Sequence, residues 1–390
     1  MIQLSAELHV LVQMVQQELC QNDTRFDIAK IDWHKFRKNS TYHGLRPIVF
    51  AANQKQSILP EQIRNQFKNF TQRRAWQNLE NVIEIKRLYD LFIEQGIKPV
   101  LLKGVLFTTL LYQNQVLREG TDIDFLFQRE DALKGIEILL ADGYVCRDLG
   151  VLANAKDLKR DLNQLIFETD FQELHFDKNG FNIDFHWELC NQFLNFKVDL
   201  ELFFKDLDVI NFYGKEIRVT NPNALFWSLV VHHGGKELWL KFKNLVDLIA
   251  FLERYKSEID WKHVIRQAKD FNMLTSLKTG IYLIKHVFDY PIPDDLEKEI
   301  HGFKPKKLDQ IVAFWEDSKY WNKIIPRWRY EKILHYSQDE GYTLIGYFHK
   351  LYKTYSLPNP FEHKRIFNFP AAWTFLNFLD KLLSYLFRKR

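Results

Sequence analysis

The sequence has little cysteine and lacks long apolar runs. Only 3 of its 390 residues are cysteine, and Cys20, Cys146 and Cys190 lie far apart. An odd number of widely spaced cysteines supports neither a disulfide framework nor a CxxC zinc site. No segment supplies the roughly 20 consecutive apolar residues that a membrane-spanning helix needs. The composition therefore offers neither a disulfide framework nor a CxxC zinc site, and membrane spanning is poorly supported.

Basic and acidic residues are nearly equal in number. The chain has 54 Lys and Arg against 50 Asp and Glu, a formal charge of +4. Dedicated nucleic-acid binders normally carry a strong basic excess, so we expect a partner other than nucleic acid. The first residues, Met1–Leu4, lack the basic and apolar segments of a signal peptide, so we expect a reducing, cytoplasmic compartment.

The sequence is rich in apolar and aromatic residues, with 46% hydrophobic residues, 33 Phe and 10 Trp. That content and this length predict several domains with sizeable cores. Apolar residues recur at helical spacing at both ends of the chain, whereas strand and helix patterns alternate at its centre. The predicted fold class is α+β, with four regions: a helical amino-terminal region (1–95), an α/β domain (96–220), a helical domain (221–295) and a helical carboxy-terminal region (296–390).

The predicted α/β domain begins with a short strand near residues 98–102, and a helix follows Lys103-Gly104. A second strand covers 122–127 and carries two aspartates, Asp122 and Asp124. Side chains at i and i+2 of a strand share one face, so these carboxylates should lie together. A divalent cation with hard oxygen ligands, such as Mg²⁺, would offset their repulsion. Two solvated carboxylates at a strand end would give the same pattern, so the segment alone leaves both interpretations open.

A β-hairpin is predicted over residues 171–189, because Asn179-Gly180 separates two alternating segments and is the strongest two-residue turn signal. A polar face backed by an aromatic core is typical of an active-site surface, although an exposed hairpin with ordinary ion pairs would look similar. Two-histidine metal chemistry is less favoured, since no third nitrogen or sulfur ligand has suitable spacing. The turn fixes a register in which four ionisable residues share this face, with Glu173 opposite His186 and His175 opposite Asp184.

These features occur in an order that resembles a known group of proteins. Over about residues 85–290 the chain is similar to bacterial nucleotidyltransferase family proteins of the DNA polymerase beta-like superfamily, often linked with surface-polysaccharide and other biosynthetic loci. The motifs that carry the resemblance are Leu101-Leu102-Lys103-Gly104, Leu111-Tyr112, Arg118, Asp122-Ile123-Asp124-Phe125-Leu126, Gly143-Tyr144, Ile183-Asp184-Phe185-His186-Trp187-Glu188-Leu189, His233-Gly234-Gly235-Lys236, Trp239 and Asp247.

The resemblance implies a polymerase-beta-like core sheet and Mg²⁺-dependent chemistry on a nucleoside triphosphate such as ATP. Asp122, Asp124 and Asp184 would bind one or two Mg²⁺ ions, and Asp184 would also help to deprotonate the attacking hydroxyl. The superfamily usually has Gly-Ser in its first turn, and this chain has Lys103-Gly104 instead. The phosphate-binding set that the resemblance implies is Lys103, Gly104, Arg118 and Lys236.

The implied reaction moves a nucleoside monophosphate to a hydroxyl or phosphate of a small molecule, a saccharide precursor or a protein. Two alternatives stay open. The missing serine favours an inactive nucleotide-binding or scaffold protein on the same fold, and a γ-phosphotransferase would use the same metal site. The sequence predicts neither the preferred base nor the oligomeric state.

Several residues have both a functional and a structural interpretation. His186, His175 and Glu173 would contact substrate or orient the carboxylates, or form ordinary ion pairs on the hairpin. Arg118 would neutralise phosphate or support the second strand. His233 would end a helix, bridge two domains or contact substrate.

Residues 371–390 form an amphipathic pattern with a basic end, Arg388-Lys389-Arg390. Such a helix suits peripheral contact with an anionic membrane. Docking onto the helical domain or onto a second subunit is the other interpretation.

Overall fold

The structure is a computed structural model. It describes residues 2–316 apart from 23–24, 113, 115, 121, 149–157, 169–170 and 191–193. It also describes 324–339, 373–386 and a few single positions between 343 and 352. The predicted carboxy-terminal amphipathic segment, 371–390, is thus described only over 373–386.

The amino-terminal part is helical, as predicted, and contains helices α1 to α4. Side-chain oxygens fix two of the starts, because Ser5 accepts from the Leu8 N–H and Asp32 accepts from the N–H groups of His34 and Lys35. Gly96, at φ +77°, follows the last helix, as its sequence position predicts. The bounds are α1 Ala6–Leu19, α2 Trp33–Tyr42, α3 Arg46–Lys55 and α4 Glu61–Glu94.

The centre of the chain forms one mixed sheet of seven strands in the order β3-β4-β5-β2-β1-β7-β6. The hairpin register is the predicted one, with Glu173 opposite His186 and His175 opposite Asp184. Strand β2 pairs with β5 in parallel and with β1 in antiparallel orientation. The strands are β1 Val100–Leu101, β2 Ile123–Leu126, β3 Val145–Cys146, β4 Glu173–Lys178, β5 Phe181–His186, β6 Asp208–Phe212 and β7 Lys215–Val219.

Three helices accompany these strands: α5 Gly104–Leu111, α6 Arg129–Ala141 and α7 Leu158–Glu168. One face of the sheet is apolar and packs on α4 and α6. Phe92 of α4 makes edge-to-face contacts with Phe125 and Phe127, and Phe127 stacks on Phe185. Gly135 lets α6 approach closely, since a Cβ there would lie 2.8 Å from the Phe185 ring. The side chains of Asp124, Glu173, His175, Asp184 and His186 therefore lie on the opposite face.

Helices return after β7, at the predicted start. Asn221 caps the first of them through the Ala224 N–H, and Pro222 occupies its first position. This helix runs directly into a π-helical segment, Val230–Lys236, that carries His232, His233 and Lys236. The helices are α8 Pro222–Leu229, α9 Phe242–Tyr255, α10 Trp261–Asp270, α11 Leu274–Phe288, α12 Asp294–Ile300, α13 Leu308–Glu316 and α14 Ile324–Ser337, followed by a carboxy-terminal helix, Thr374–Leu386.

The fold is thus a mixed α+β architecture in which helical segments precede and follow the strands along the chain, as predicted. The division of the chain at residues 95, 220 and 295 stays a prediction.

Candidate active site

Two predicted carboxylates lie side by side on adjacent parallel strands. Asp124 of β2 is in register with Asp184 of β5, so their side chains project from the same face of the sheet. Asp122 precedes Asp124 by two residues at the exposed start of the strand, whereas Asp124 is buried. The sheet therefore brings the three predicted metal ligands to one edge of its polar face. One potential ligand atom each from Asp124, Asp184 and His186 lies within 4.8 Å of the others.

Asp124 already has two cationic neighbours. Lys103 Nζ lies 3.0 Å from its Oδ1, and His186 Nε2 lies 3.2 Å from the same oxygen. Burial alone would raise the pKa of Asp124, but Lys103 and His186 hold that pKa below its usual range. Asp124 is thus a buried carboxylate that stays ionised.

His186 lies between two carboxylates. Its Nδ1 is 2.8 Å from Glu173 Oε2, while its Nε2 faces Asp124. Burial opposes a charge on the ring, yet these two hydrogen bonds raise the pKa of His186 above its usual value. Each ring nitrogen thus faces a carboxylate oxygen, so His186 orients both Asp124 and Glu173.

Asp184 has a different environment from Asp124. Burial, and then repulsion from Asp124, raise its pKa to about 6. The nearest cationic side chain is His175, whose Nε2 is 3.9 Å from Asp184 Oδ1 and whose Nδ1 bonds to Asp148 at 2.9 Å. A hydrogen bond to Asp148 is the main cause that raises the pKa of His175. Two adjacent carboxylates with pKa values shifted in opposite directions are a common feature of catalytic sites.

The turn before α5 lies directly against these carboxylates. Gly104 has φ +52°, and a Cβ at this position would lie 2.1 Å from the Asp122 carbonyl oxygen and 3.1 Å from Asp124 Oδ2. Only glycine fits such a position. Among the described residues no side chain caps the amino terminus of α5, whose N–H groups begin beside Asp124.

Lys236 faces the site from the π-helical segment. Its Nζ lies 3.7 Å from Glu173 Oε1, and burial lowers its pKa although Glu173 opposes that change. His232 of the same segment has Nδ1 at 3.5 Å from Lys103 Nζ. Burial, followed by the charge of Lys103, holds the pKa of His232 well below its usual value. π-helical turns are rare and often occur at functional sites.

The structure places Arg118 and His233 behind the carboxylates, within the protein. Arg118 pairs with Asp247 through two contacts, Nε to Oδ1 at 2.9 Å and Nη2 to Oδ2 at 3.0 Å. His233 Nε2 lies 2.9 Å from the same carboxylate, and Tyr112 donates to it at 2.6 Å. Arg118 Nη1 also donates to the Gly104 carbonyl at 3.0 Å. Arg118 therefore connects Gly104 to α9, whereas the polar partners of His233 all lie in the helical part of the chain.

Two features of the site, Asp148 and the Lys103–Asp124 ion pair, have no counterpart in the sequence analysis, and Asp247 appears there only as part of a motif. Asp247 left one usable signal in the sequence, because a carboxylate within the apolar segment Leu245–Leu252 needs a buried polar partner. The ion pair had no such signal, since it depends on how β1 pairs with β2.

The comparison with known proteins identifies the class. A family model described as an uncharacterised nucleotidyltransferase matches residues 29–289. That span is more than half of the chain, so the chain belongs to this nucleotidyltransferase family, as the motifs predicted. No match was found among curated proteins or among solved structures. Membership of this family supports nucleotidyl transfer as the general function and implies a nucleoside triphosphate as the substrate.

The described part of the chain contains no helix that is both long enough and apolar enough to cross a membrane. Trp373, directly before the carboxy-terminal helix, and Phe375 within it are exposed, whereas Asn377 and Asp380 are buried. The basic end, Arg388-Lys389-Arg390, lies outside the described residues.

Proposed function

We propose that the protein transfers a nucleoside monophosphate from a nucleoside triphosphate to an acceptor hydroxyl or phosphate, in a reaction that requires Mg²⁺. The observation that carries this proposal is the register of Asp124 with Asp184 beside the Gly104 turn. In-line displacement at a phosphoryl group needs carboxylates for a metal and a place for the phosphates, and this edge of the sheet supplies both.

The donor set fits a hard divalent cation. Asp122, Asp124 and Asp184 supply carboxylate oxygens, the ligands that Mg²⁺ prefers. These three carboxylates would hold the Mg²⁺, which would supply positive charge to offset that of the triphosphate. The repulsion that raises the pKa of Asp184 is the kind of unfavourable contact that a cation removes.

The chain's own residues would hold and activate the substrates. Lys103 and Lys236 would neutralise phosphate charge, and the amino terminus of α5 would donate N–H groups to an anion. Asp184 would accept the proton of the attacking hydroxyl, the general-base role that a carboxylate at the reacting centre can take. His186 and Glu173 would keep Asp124 in place, while Arg118 would hold the Gly104 carbonyl.

The first experiment is calorimetric titration of the full chain with each of the four ribonucleoside triphosphates, with and without Mg²⁺. We expect Mg²⁺-dependent binding of at least one triphosphate and its loss in the Asp122→Ala/Asp124→Ala variant. Asp270→Ala, which removes an exposed carboxylate at the end of α10, is the matched control and should bind as the wild type does. Failure of every triphosphate to bind would contradict the proposal.

The Lys103–Asp124 ion pair supports a second candidate, a nucleotide-binding or scaffold protein without transfer activity. An ammonium group 3.0 Å from Asp124 already supplies positive charge where a catalytic metal would otherwise do so. Product analysis separates the candidates: pyrophosphate release indicates nucleotidyl transfer, ADP indicates a γ-phosphotransferase, and binding without turnover indicates the scaffold.

Peripheral membrane contact through residues 371–390 is a separate, minor proposal. The exposed Trp373 and Phe375 support it. Flotation with anionic liposomes should recover the full chain but not a chain that ends at Asn368. Equal recovery of the two would contradict it.

A further inference from the structure

A cavity lies beside the π-helical segment Val230–Lys236, on the opposite side of that segment from Asp124 and Asp184. Its volume is about 530 Å³, and its walls come from that segment, α11, the loop 302–307 and the end of α14. Pockets of 300–1,000 Å³ are typical of small-molecule sites. None of the residues assigned to the candidate active site lines this cavity, so the nucleotidyltransferase chemistry does not account for it.

Buried polar atoms without partners line the cavity. Gln338 is only 8% exposed, and among the described residues neither its Oε1 nor its Nε2 has a hydrogen-bond partner. Ser276 is 1% exposed, and its hydroxyl likewise has no hydrogen-bond partner among the described residues. Buried side-chain polar atoms are bonded in the large majority of cases, and an unpaired one costs about 1–3 kcal/mol. Rotation of these two side chains toward a polar ligand in the cavity would give the amide and the hydroxyl the partners that they lack.

The charge around the cavity is positive. Lys304, Lys306 and Lys307 line one wall, and the last two lie over the Tyr336 ring, with Nζ 5.8 Å and 4.7 Å from its centroid. The one carboxylate among the described lining residues, Asp339, accepts the N–H groups of Leu274 and Thr275 at 2.8 Å and 2.7 Å. Its charge is therefore directed at the amino terminus of α11.

We propose that this cavity binds a small phosphate ester. The phosphate would lie among the three lysines, because a monoester carries about −1.5 to −2 charges and three acceptor oxygens. The organic part would extend inward, where Gln338 and Ser276 supply an amide and a hydroxyl for its polar groups. Trp239, which lines the same cavity, would provide an apolar wall.

This site is independent of the proposed transfer reaction. Gly234 lines the cavity, while His232 and Lys236 of the same segment face Lys103 and Glu173. The cavity and the carboxylates are thus on two sides of one π-helical turn. A ligand can occupy the cavity whether or not Asp122, Asp124 and Asp184 hold a metal.

The test is calorimetric titration of the full chain with AMP, glucose 6-phosphate and inorganic phosphate in the absence of Mg²⁺. The titrations are repeated in the Asp122→Ala/Asp124→Ala variant. We expect at least one of the two esters to bind more tightly than inorganic phosphate, with equal affinity in both proteins. If neither ester binds, or if binding disappears in the aspartate variant, the proposal is wrong.

Two variants locate the binding. Lys304→Glu/Lys306→Glu should weaken the ester at least tenfold, whereas Lys269→Glu/Lys332→Glu, an equal charge change at exposed positions outside the cavity, should leave it unchanged. Gln338→Leu should weaken binding and raise the melting temperature of the free protein, since it removes an unpaired buried amide. Equal affinities in the two charge-reversal variants would overturn the assignment to this cavity.

Discussion

Arg118 and Asp247 form a two-point ion pair in the interior of the protein, 129 residues apart in sequence. The side chain of Asp247 is 2% exposed and that of Arg118 is 11% exposed. Burial opposes the charge on Asp247, but Arg118 holds its pKa below the usual range. Because Arg118 also donates to the Gly104 carbonyl, this pair connects α9 to the turn that precedes α5.

Asp247→Asn should destabilise the protein strongly, because it leaves the buried Arg118 without a counter-charge. Breaking one partner of a buried pair costs about 3–5 kcal/mol. The measurement is the urea midpoint, read from circular dichroism. Arg147→Ala, which breaks a half-exposed pair with Asp177, is the control and should cost about 1 kcal/mol or less. Equal midpoints for Asp247→Asn and the wild type would show that the pair does not connect these elements.

Gly104→Ala should abolish nucleotide binding and reduce stability. The new Cβ would lie 2.1 Å from a backbone oxygen at a left-handed position, so the turn has to move away from Asp122. Gly214→Ala separates the two causes, since Gly214 has φ +83° with nothing within 4 Å. That control should lose about 1 kcal/mol of stability and keep full nucleotide affinity. Loss of affinity in both variants would mean that backbone strain alone, and not the close approach, is responsible.

Lys103→Met should strengthen the binding of a divalent cation in the absence of nucleotide. The Lys103 ammonium group competes with a cation for Asp124 Oδ1, so its removal takes away one of the two nitrogen neighbours of that oxygen, and His186 remains at 3.2 Å. The same variant should bind nucleoside triphosphate more weakly, because a phosphate partner is lost. Mn²⁺ titration followed by electron paramagnetic resonance measures the first effect, and calorimetry measures the second. Lys98→Met, at an exposed position before β1, is the control, and a Mn²⁺ affinity that falls in Lys103→Met contradicts the competition.

The sequence predicted local structure well and long-range pairing poorly. Asn179-Gly180 determined the hairpin register, because a two-residue turn leaves one pairing. The sequence predicts a helical region over 1–95 without the bounds of its helices, and in α4, which begins at Glu61, exposed apolar residues such as Trp76 obscure the periodicity. The Asp124–Asp184 register depends on which strands become neighbours, and no local pattern specifies that choice.

The buried His43 should make stability dependent on pH. The Phe242 N–H donates to its Nδ1 at 3.1 Å, and its Nε2 lies 3.0 Å from the Trp315 carbonyl, so the neutral ring joins three helical segments. Burial is the main cause that lowers the pKa of His43 from 6.5 to about 3. Below pH 6.5 the His43 ring therefore binds a proton in the unfolded chain but not in the folded chain. The free energy of unfolding consequently decreases as the pH falls from 6.5 to 3.

Each pH unit in that window should remove up to about 1.4 kcal/mol through this one group. The measurement is a series of urea midpoints from pH 7 to pH 4. His43→Gln should be less stable than the wild type at pH 7, because it loses one of two buried hydrogen bonds, but its midpoint should fall less steeply with acid. His263→Gln, at an exposed position in α10, is the control and should retain the wild-type slope. Parallel pH profiles for His43→Gln and the wild type would show that other groups cause the loss of stability in acid.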